Sequence, residues 1–302
     1  MQKSNTTPFF SIVIPTYNRK DLLLRNLLSL QNQTFRDFEV IVSDDGSYDG
    51  SFDLVHNHKF NFDINYIYNE NWGGPAKPRN IGIKSAKGEW ICFCDSDDYW
   101  FENKLEIVFN KIRTDNFNCN VLYYHPLLKS NYKKNKLFSF PNKVNLNSLL
   151  SLGNSIYLSS VCVSKNILHK VNGFSENEEY IGVEDYDLYI RLAFENVSFI
   201  NVSRHFLGIY TIEHNSLSSN ILTQINKVDN LLRNHINLFN DDQKHILGSK
   251  IDRLIDYMLG DYYYSLNDFK RAKTYFYKII FFRPFSFLFL IKSSIKYIKS
   301  SF

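Results

Sequence analysis

Four side chains that can bind or move charge stand together where an apolar run ends. Asp95, Ser96, Asp97 and Asp98 follow WICFC at residues 90–94. Three carboxylates so close repel one another unless something positive lies among them. Hard oxygen donors of this kind suit Mg2+ or Mn2+, and an incomplete protein shell leaves positions for water and substrate phosphates. Such a cluster could hold a nucleoside diphosphate and offset its charge. The plainer reading is a solvated turn, since turns favour Asp and Ser. A buried strand running straight into three acids is more than a turn requires.

Two more polar groups end similar runs. PFFSIVIPTY, residues 8–17, is closed by Pro15 and ends at Tyr17, and DFEVIVSDDGS, residues 37–47, carries Asp44 and Asp45. Continuous short apolar runs predict strands buried on both faces. Between them, leucines at 22, 23, 27, 28 and 30 predict an amphipathic helix over 19–33. A short helix is expected over 52–59 and a strand over 63–70. A further helix is expected over 79–87, opened by the Gly/Pro loop NWGGPAKPRN and closed by Gly88. Strands alternating with helices predict a parallel sheet with right-handed crossovers, whose ligands bind beyond the carboxyl ends of the strands. Tyr17, Asp44, Asp45 and Asp95 to Asp98 all fall on that rim.

Downstream, the pattern predicts a helix around Glu102 to Arg113, a strand over 119–125 and a Lys/Asn-rich variable loop over 129–147. A strand then leads into a short helix capped by Gly173. GVEDYDLYIRLAFE, residues 182–195, opens a helix with Glu184, Asp185 and Asp187 in its first turn, where the helix dipole favours anions. IYTIEHNSLSS reads as a strand and an exposed loop. From about Ile221 the pattern is wholly helical, with two segments joined at Asn267 and Asp268. They look like one tetratricopeptide-type hairpin without a second copy. The expected division is therefore 1–220 and 221–302.

Composition excludes several classes. With 302 residues, 44% hydrophobic and 22% charged, the chain is an ordinary globular protein with room for a sizeable core. A net charge of +4 is too small to argue for nucleic acid, and no nucleic-acid partner is expected. Cys92, Cys94, Cys119 and Cys162 show no CxxC or disulfide framework, and Cys92 and Cys94 read as small buried hydrophobes on one strand face. No secretory apolar segment and no long uninterrupted apolar run is found, so a cytoplasmic location is expected. Neither GxxxxGK[ST] nor GxGxxG occurs, which removes the usual phosphate cradle of ATPases and dinucleotide enzymes.

Five stretches carry a family resemblance: FSIVIPTYNR, DFEVIVSDDGSYDGS, GGPAKPRNIGIKSAKGEWICFCDSDD, GFSENEEYIGVEDYDLYIRLA and YTIEHNSLS. In order and spacing, over about residues 9–220, they resemble the family 2 glycosyltransferases of GT-A fold, inverting enzymes that use nucleotide-diphosphate sugars. The resemblance implies an α/β fold, a Rossmann-like mostly parallel sheet flanked by helices, here followed by a C-terminal helical region. It implies that Pro15, Thr16, Tyr17 and Asp45 hold the base, usually uracil, while Asp44 shapes the turn. Arg79 would contact the pyrophosphate or the aspartate cluster, with Asn80 supporting its loop. Residues 95–97 become the DXD motif. Asp95 meets the ribose or helps the metal, Ser96 lies with the nucleotide-sugar contacts, and Asp97 binds Mn2+ or Mg2+ directly. Asp98 is either a further ligand or a supporting residue. His214 would meet the metal or the diphosphate, Asp185 would be the catalytic base, and Glu184 would contact the acceptor or position that base.

The activity implied is metal-dependent, inverting transfer of a hexose or N-acetylhexosamine from a UDP-sugar to a glycan acceptor, lipid-linked in many family members, during surface-polysaccharide synthesis such as lipopolysaccharide or capsule. An α-linked donor would yield a β-linkage. The QxxRW motif of processive members is missing, since DLYIRLAFE has Arg191 but no tryptophan, so one sugar is added at a time. Two other classes stay open at this level: a nucleotidyltransferase, disfavoured by PTYNR in place of a Gly-rich first loop, and a non-catalytic sugar-nucleotide-binding protein. The acid-free tail, residues 280–302, carries Lys292, Lys296 and Lys299 near one helical face. It would lie peripherally on the anionic cytoplasmic face of the inner membrane, or dock on the catalytic domain.

Overall fold

The first two apolar runs form β1 (Phe10–Thr16) and, after α1 (Lys20–Gln31), β2 (Phe38–Asp44), and every residue of both strands is buried. The chain continues through α2 (Ser51–Asn57), β3 (Asp63–Tyr68), α3 (Ala76–Ser85), β4 (Trp90–Phe93), β5 (Tyr99–Trp100), α4 (Lys104–Thr114), β6 (Val121–Tyr124) and β7 (Leu128–Lys129). Next come α5 (Leu146–Leu152), β8 (Cys162–Ser164), α6 (Lys165–Lys170), α7 (Glu184–Phe194), β9 (Ser198–Asn201) and β10 (Gly208–Tyr210). Three helices follow, α8 (Ile221–Ile236), α9 (Asp241–Ser265) and α10 (Phe269–Phe282). This computed structural model describes residues 7–130, 144–212, 220–282 and 296–297.

Seven strands form one sheet in the order β3-β2-β1-β4-β8-β6-β9, parallel except for β8, which runs against both neighbours. The flanking helices make this the mostly parallel GT-A architecture. β1 pairs with β2 from Phe10↔Phe38 to Thr16↔Asp44, but with β4 only from Phe10↔Trp90 to Val13↔Phe93. Ile14, Pro15 and Thr16 therefore extend past β4. Pro15 lacks an N–H, and this overhang is where a central strand can hold it. The register also brings Thr16, Asp44 and the residues after β4 to one edge. Beneath them Ile12, Ile14, Leu23, Leu27, Val40, Val42, Trp90 and Cys92 share a buried core. A smaller sheet, β5-β10-β7, starts directly after Asp98.

Two local expectations are corrected. α3 begins at Ala76, ahead of Pro78, and ends at Ser85. A proline in the first turn costs no hydrogen bond, because the first four N–H groups of a helix have no intrahelical partner. Gly88 does not close that helix; a Cβ there would lie 2.8 Å from the backbone of Phe10 and Ser11. Its small size serves close packing on β1. The expected variable loop over 129–147 begins inside β7 and ends inside α5, and residues 131–143 lie outside the described ones.

Two compact units emerge: Met1–Val144 with Ser155–His214, and Asn145–Asn154 with Asn215–Phe302. The first holds both sheets. The second holds α5, α8, α9 and α10, with α9 and α10 joined at Asn267 in left-handed backbone (φ 60°). Ala272, Phe276 and Ile279 form its apolar centre with Tyr257, Tyr263, Tyr264 and Tyr297 packed on it. Most of the basic tail lies outside the described residues. Of its described residues, Lys296 pairs with Asp261 and Tyr297 joins the aromatic cluster. Among the described residues no helix is long and apolar enough to cross a membrane.

Candidate active site

The acidic loop after β4 is held by its backbone. Asn26 of α1, fully buried, points its amide at Cys94 Sγ (3.1 Å), the Asp95 carbonyl (3.0 Å) and the Asp98 carbonyl (2.8 Å). Asp95 N–H donates to Ser159 Oγ at 2.9 Å, and Trp100 Nε1 donates to the Ser159 carbonyl at 2.7 Å. The Thr211 N–H reaches Asp98 Oδ1 at 2.8 Å. Asp98 is 1% exposed, and burial, then Asp97 and Asp95, push its carboxyl well above the usual range. Its Oδ2 has no hydrogen-bond partner among the described residues.

Arg79 comes to this loop from α3, which lies close on β1 because Gly82 faces Val13; a Cβ at Gly82 would sit 2.5 Å from Val13 Cγ1. The Arg79 side chain is 5% exposed and spans two carboxylates: Nη2 meets Asp95 Oδ1 and Nη1 meets Glu184 Oε1, each at 2.7 Å. Its guanidinium carbon lies 5.3 Å from the Phe174 ring centre. Asn80 accepts from Phe174 N–H at 2.8 Å and donates to Glu176 Oε1 at 2.8 Å, fixing the loop that leads into α7.

Glu184 and Asp185 open α7, so the bridge from Asp95 through Arg79 ends beside Asp185. Glu184 also accepts from Gly182 N–H at 2.5 Å. Asp185 Oδ1 accepts from Tyr186 N–H at 2.7 Å. Burial, then the Glu184 charge, pushes the half-buried Asp185 up to about 7. A carboxylate in that range can take a proton from a hydroxyl near neutral pH.

On the β1–β2 side, Thr16 is buried and its Oγ1 has no hydrogen-bond partner among the described residues, while Tyr17 is 44% exposed. Asp44 is fully buried and accepts from Ser47 N–H (3.0 Å), Ser47 Oγ (2.6 Å) and the Tyr66 hydroxyl, which makes it the shaping residue of that turn. Asp45 accepts from Trp72 N–H at 2.9 Å and Gly73 N–H at 3.1 Å, anchoring the loop before α3. Burial outweighs these amides and raises the Asp45 carboxyl. Pro15 and Ser96 are buried at the same rim. His214 lies outside the described residues.

Two arginines that the motifs did not single out also reach the loop. Arg19 Nη1 pairs with Asp97 Oδ2 at 2.7 Å. Arg25 Nη2 donates to the Asp97 carbonyl at 2.5 Å and to Thr211 Oγ1 at 3.0 Å. Asn26 likewise passed as part of a leucine-patterned helix. Its signal was position: with Leu23, Leu27 and Leu30 it shares the buried face, where an unpaired amide would be costly.

Among the described residues no group of three or more His, Cys, Asp or Glu side chains is arranged to enclose a metal. The donors present still fit one class of cation. Asp97 and the buried, unpartnered Asp98 Oδ2 are hard oxygens, and Mg2+ or Mn2+ is often held by one or two carboxylates with substrate phosphates and water completing the shell.

Comparison with known proteins gives this geometry its context. An Escherichia coli protein, UDP-Glc:alpha-D-GlcNAc-diphosphoundecaprenol beta-1,3-glucosyltransferase WfaP, is 28% identical over 74% of this chain and 85% of its own length. Four other curated relatives are longer, and the matches cover 15% to 19% of them. Staphylococcus aureus TarS 1–349, solved with UDP-GlcNAc, aligns over 96% of this chain and 88% of its own, with a TM-score of 0.64 and 22% identity. The Pyrobaculum calidifontis mannosyltransferase PcManGT, solved with GDP-Man and Mn2+, aligns over 99% and 82%, with a TM-score of 0.64 and 13% identity. The model for the N-terminal domain of galactosyltransferase matches residues 158–215. The model for glycosyl transferase family 2 matches residues 11–169, more than half of the chain, and the protein belongs to that family as a glycosyltransferase of GT-A fold.

Proposed function

We propose that this glycosyltransferase moves one hexose or N-acetylhexosamine at a time, with inversion, from a UDP-sugar to a hydroxyl of a lipid-linked or polymeric glycan. The observation that carries this reading is the buried Arg79 bridge from Asp95 to Glu184. It ties the strand-end loop suited to a diphosphate to the helix start that bears Asp185. Thr16 Oγ1, Tyr17 and Asp45 stand at the rim as contacts for the base, with Pro15 and Ser96 shaping the adjoining backbone. The E. coli relative's UDP-Glc donor and diphosphoundecaprenol-linked acceptor support a UDP donor and a lipid-linked acceptor.

Asp97 would hold a Mn2+ or Mg2+, with Asp98 and His214 as further ligands. When bound, that ion supplies positive charge to the departing diphosphate. Asp185 removes the proton from the acceptor hydroxyl, whose oxygen attacks the anomeric carbon on the face opposite the diphosphate. Glu184, fixed by Arg79 and Gly182, orients Asp185 and the acceptor. Arg79 keeps a cation against Asp95 at the diphosphate side, so no protein acid is needed there. A single displacement on an α-linked donor yields a β-linkage.

Thermal unfolding with UDP, GDP or dTDP, each with and without Mn2+, tests the donor assignment. UDP should raise Tm several degrees in Mn2+ and little without it. A larger shift with GDP, or equal shifts with and without metal, would contradict it.

A further inference from the structure

We propose that Arg19 is an exchangeable counter-ion: it competes with the divalent cation for Asp97 and, once displaced, pairs with the donor's diphosphate. This rests on the reading of Asp97 as a metal ligand. The pair itself is close, 2.7 Å between Arg19 Nη1 and Asp97 Oδ2, and the Arg19 side chain is 31% exposed. A guanidinium and a divalent cation held against one carboxylate repel each other, so binding of the cation weakens the Arg19 contact and favours its release.

The surroundings allow the side chain to move while its root stays fixed. Asn18 N–H donates to Ser47 Oγ at 2.8 Å, Asn18 Oδ1 accepts from Tyr48 N–H at 2.9 Å, and Lys20 N–H donates to Asp49 Oδ2 at 2.7 Å. These contacts clamp the backbone on both sides of Arg19 to the turn after β2. Meanwhile Arg25 grips the Asp97 carbonyl rather than its carboxylate, so the loop keeps its place when the carboxylate changes partner. Arg79 has no such freedom, because it is buried and both of its terminal nitrogens are engaged. A planar guanidinium released beside a metal-bound diphosphate has a natural next partner, since it can bond two phosphate oxygens at once.

Free Mn2+ measured by electron paramagnetic resonance, with UDP binding by calorimetry, tests this on the full chain. Arg19→Gln should bind Mn2+ alone about twofold to fivefold more tightly, the scale of a partly exposed ion pair. It should bind UDP in saturating Mn2+ several-fold more weakly, and Arg19→Lys should keep part of the competition but little of the paired phosphate contact. Unchanged or weaker Mn2+ binding by Arg19→Gln, or undiminished UDP binding, overturns the exchange. Asp97→Asn separates the two readings. Wild-type Mn2+-dependent UDP binding in that variant would remove Asp97 as a ligand and the exchange with it. Loss of that dependence with no Arg19 effect would remove the exchange alone.

Discussion

Arg79 and Arg19 both meet the acidic loop after β4, and their surroundings differ. Arg79 rises from a helix packed tightly on the central strand, has a 5% exposed side chain and joins carboxylates 89 residues apart in sequence. Arg19 stands at the start of α1, has a 31% exposed side chain and meets Asp97. Removing one partner from a buried charge network leaves uncompensated charges, whereas exposed pairs contribute little to stability. The two contacts look alike at 2.7 Å, but the burial of Arg79 makes the first part of the frame, while the partial exposure of the Arg19 side chain leaves the second adjustable.

The sharpest break of that comparison is Arg79→Ala. With Asp95 and Glu184 left facing each other, unfolding free energy by urea titration should fall by about 3–5 kcal/mol. A loss below about 1 kcal/mol would mean that the bridge is not part of the frame. Asn26→Ala should cost about 1–3 kcal/mol, because it strips partners from the buried Asp98 carbonyl. It should also weaken UDP binding, since the loop loses its anchor.

A smaller effect is expected from pH. Asp185 is pushed up to about 7, chiefly by burial and then by Glu184, and it must be unprotonated to act as a base. The transfer rate should therefore rise with pH, about tenfold per unit below 7, and level off above it. The same shift has a stability sign. A carboxyl raised in the folded protein favours folding when protonated, so its contribution is lost as pH climbs from the ordinary carboxylate range through 7. Smallest of all, Arg19→Gln should change unfolding free energy by less than about 1 kcal/mol.

Much of the first unit is legible in sequence for a simple physical reason. β1, β2 and β4 are buried on both faces, so they read as apolar runs, and their ends carry the polar residues that the register gathers on one rim. Arg79 and Asp185 sit inside stretches that resemble family motifs, and it is that resemblance which marks them. The shortest elements escape, because β5 and β7 are two residues each and exist only through pairing with β10. α5 is a seven-residue helix whose first two residues lie in the Lys/Asn-rich stretch, too short to show a helical period, and Pro78 concealed the first turn of α3. Arg19, Arg25 and Asn26 act on partners more than 65 residues away, and no local pattern carries such contacts.

The proposed transfer requires Asp185 to lie on the acceptor side of a site whose donor side is separate. Asp185→Asn tests both parts when transfer from UDP-sugar and UDP affinity are measured on the same preparation. Transfer should fall by about 10²- to 10⁴-fold, with UDP affinity within about twofold of wild type. Transfer within tenfold of wild type would contradict the assignment of Asp185 as the base.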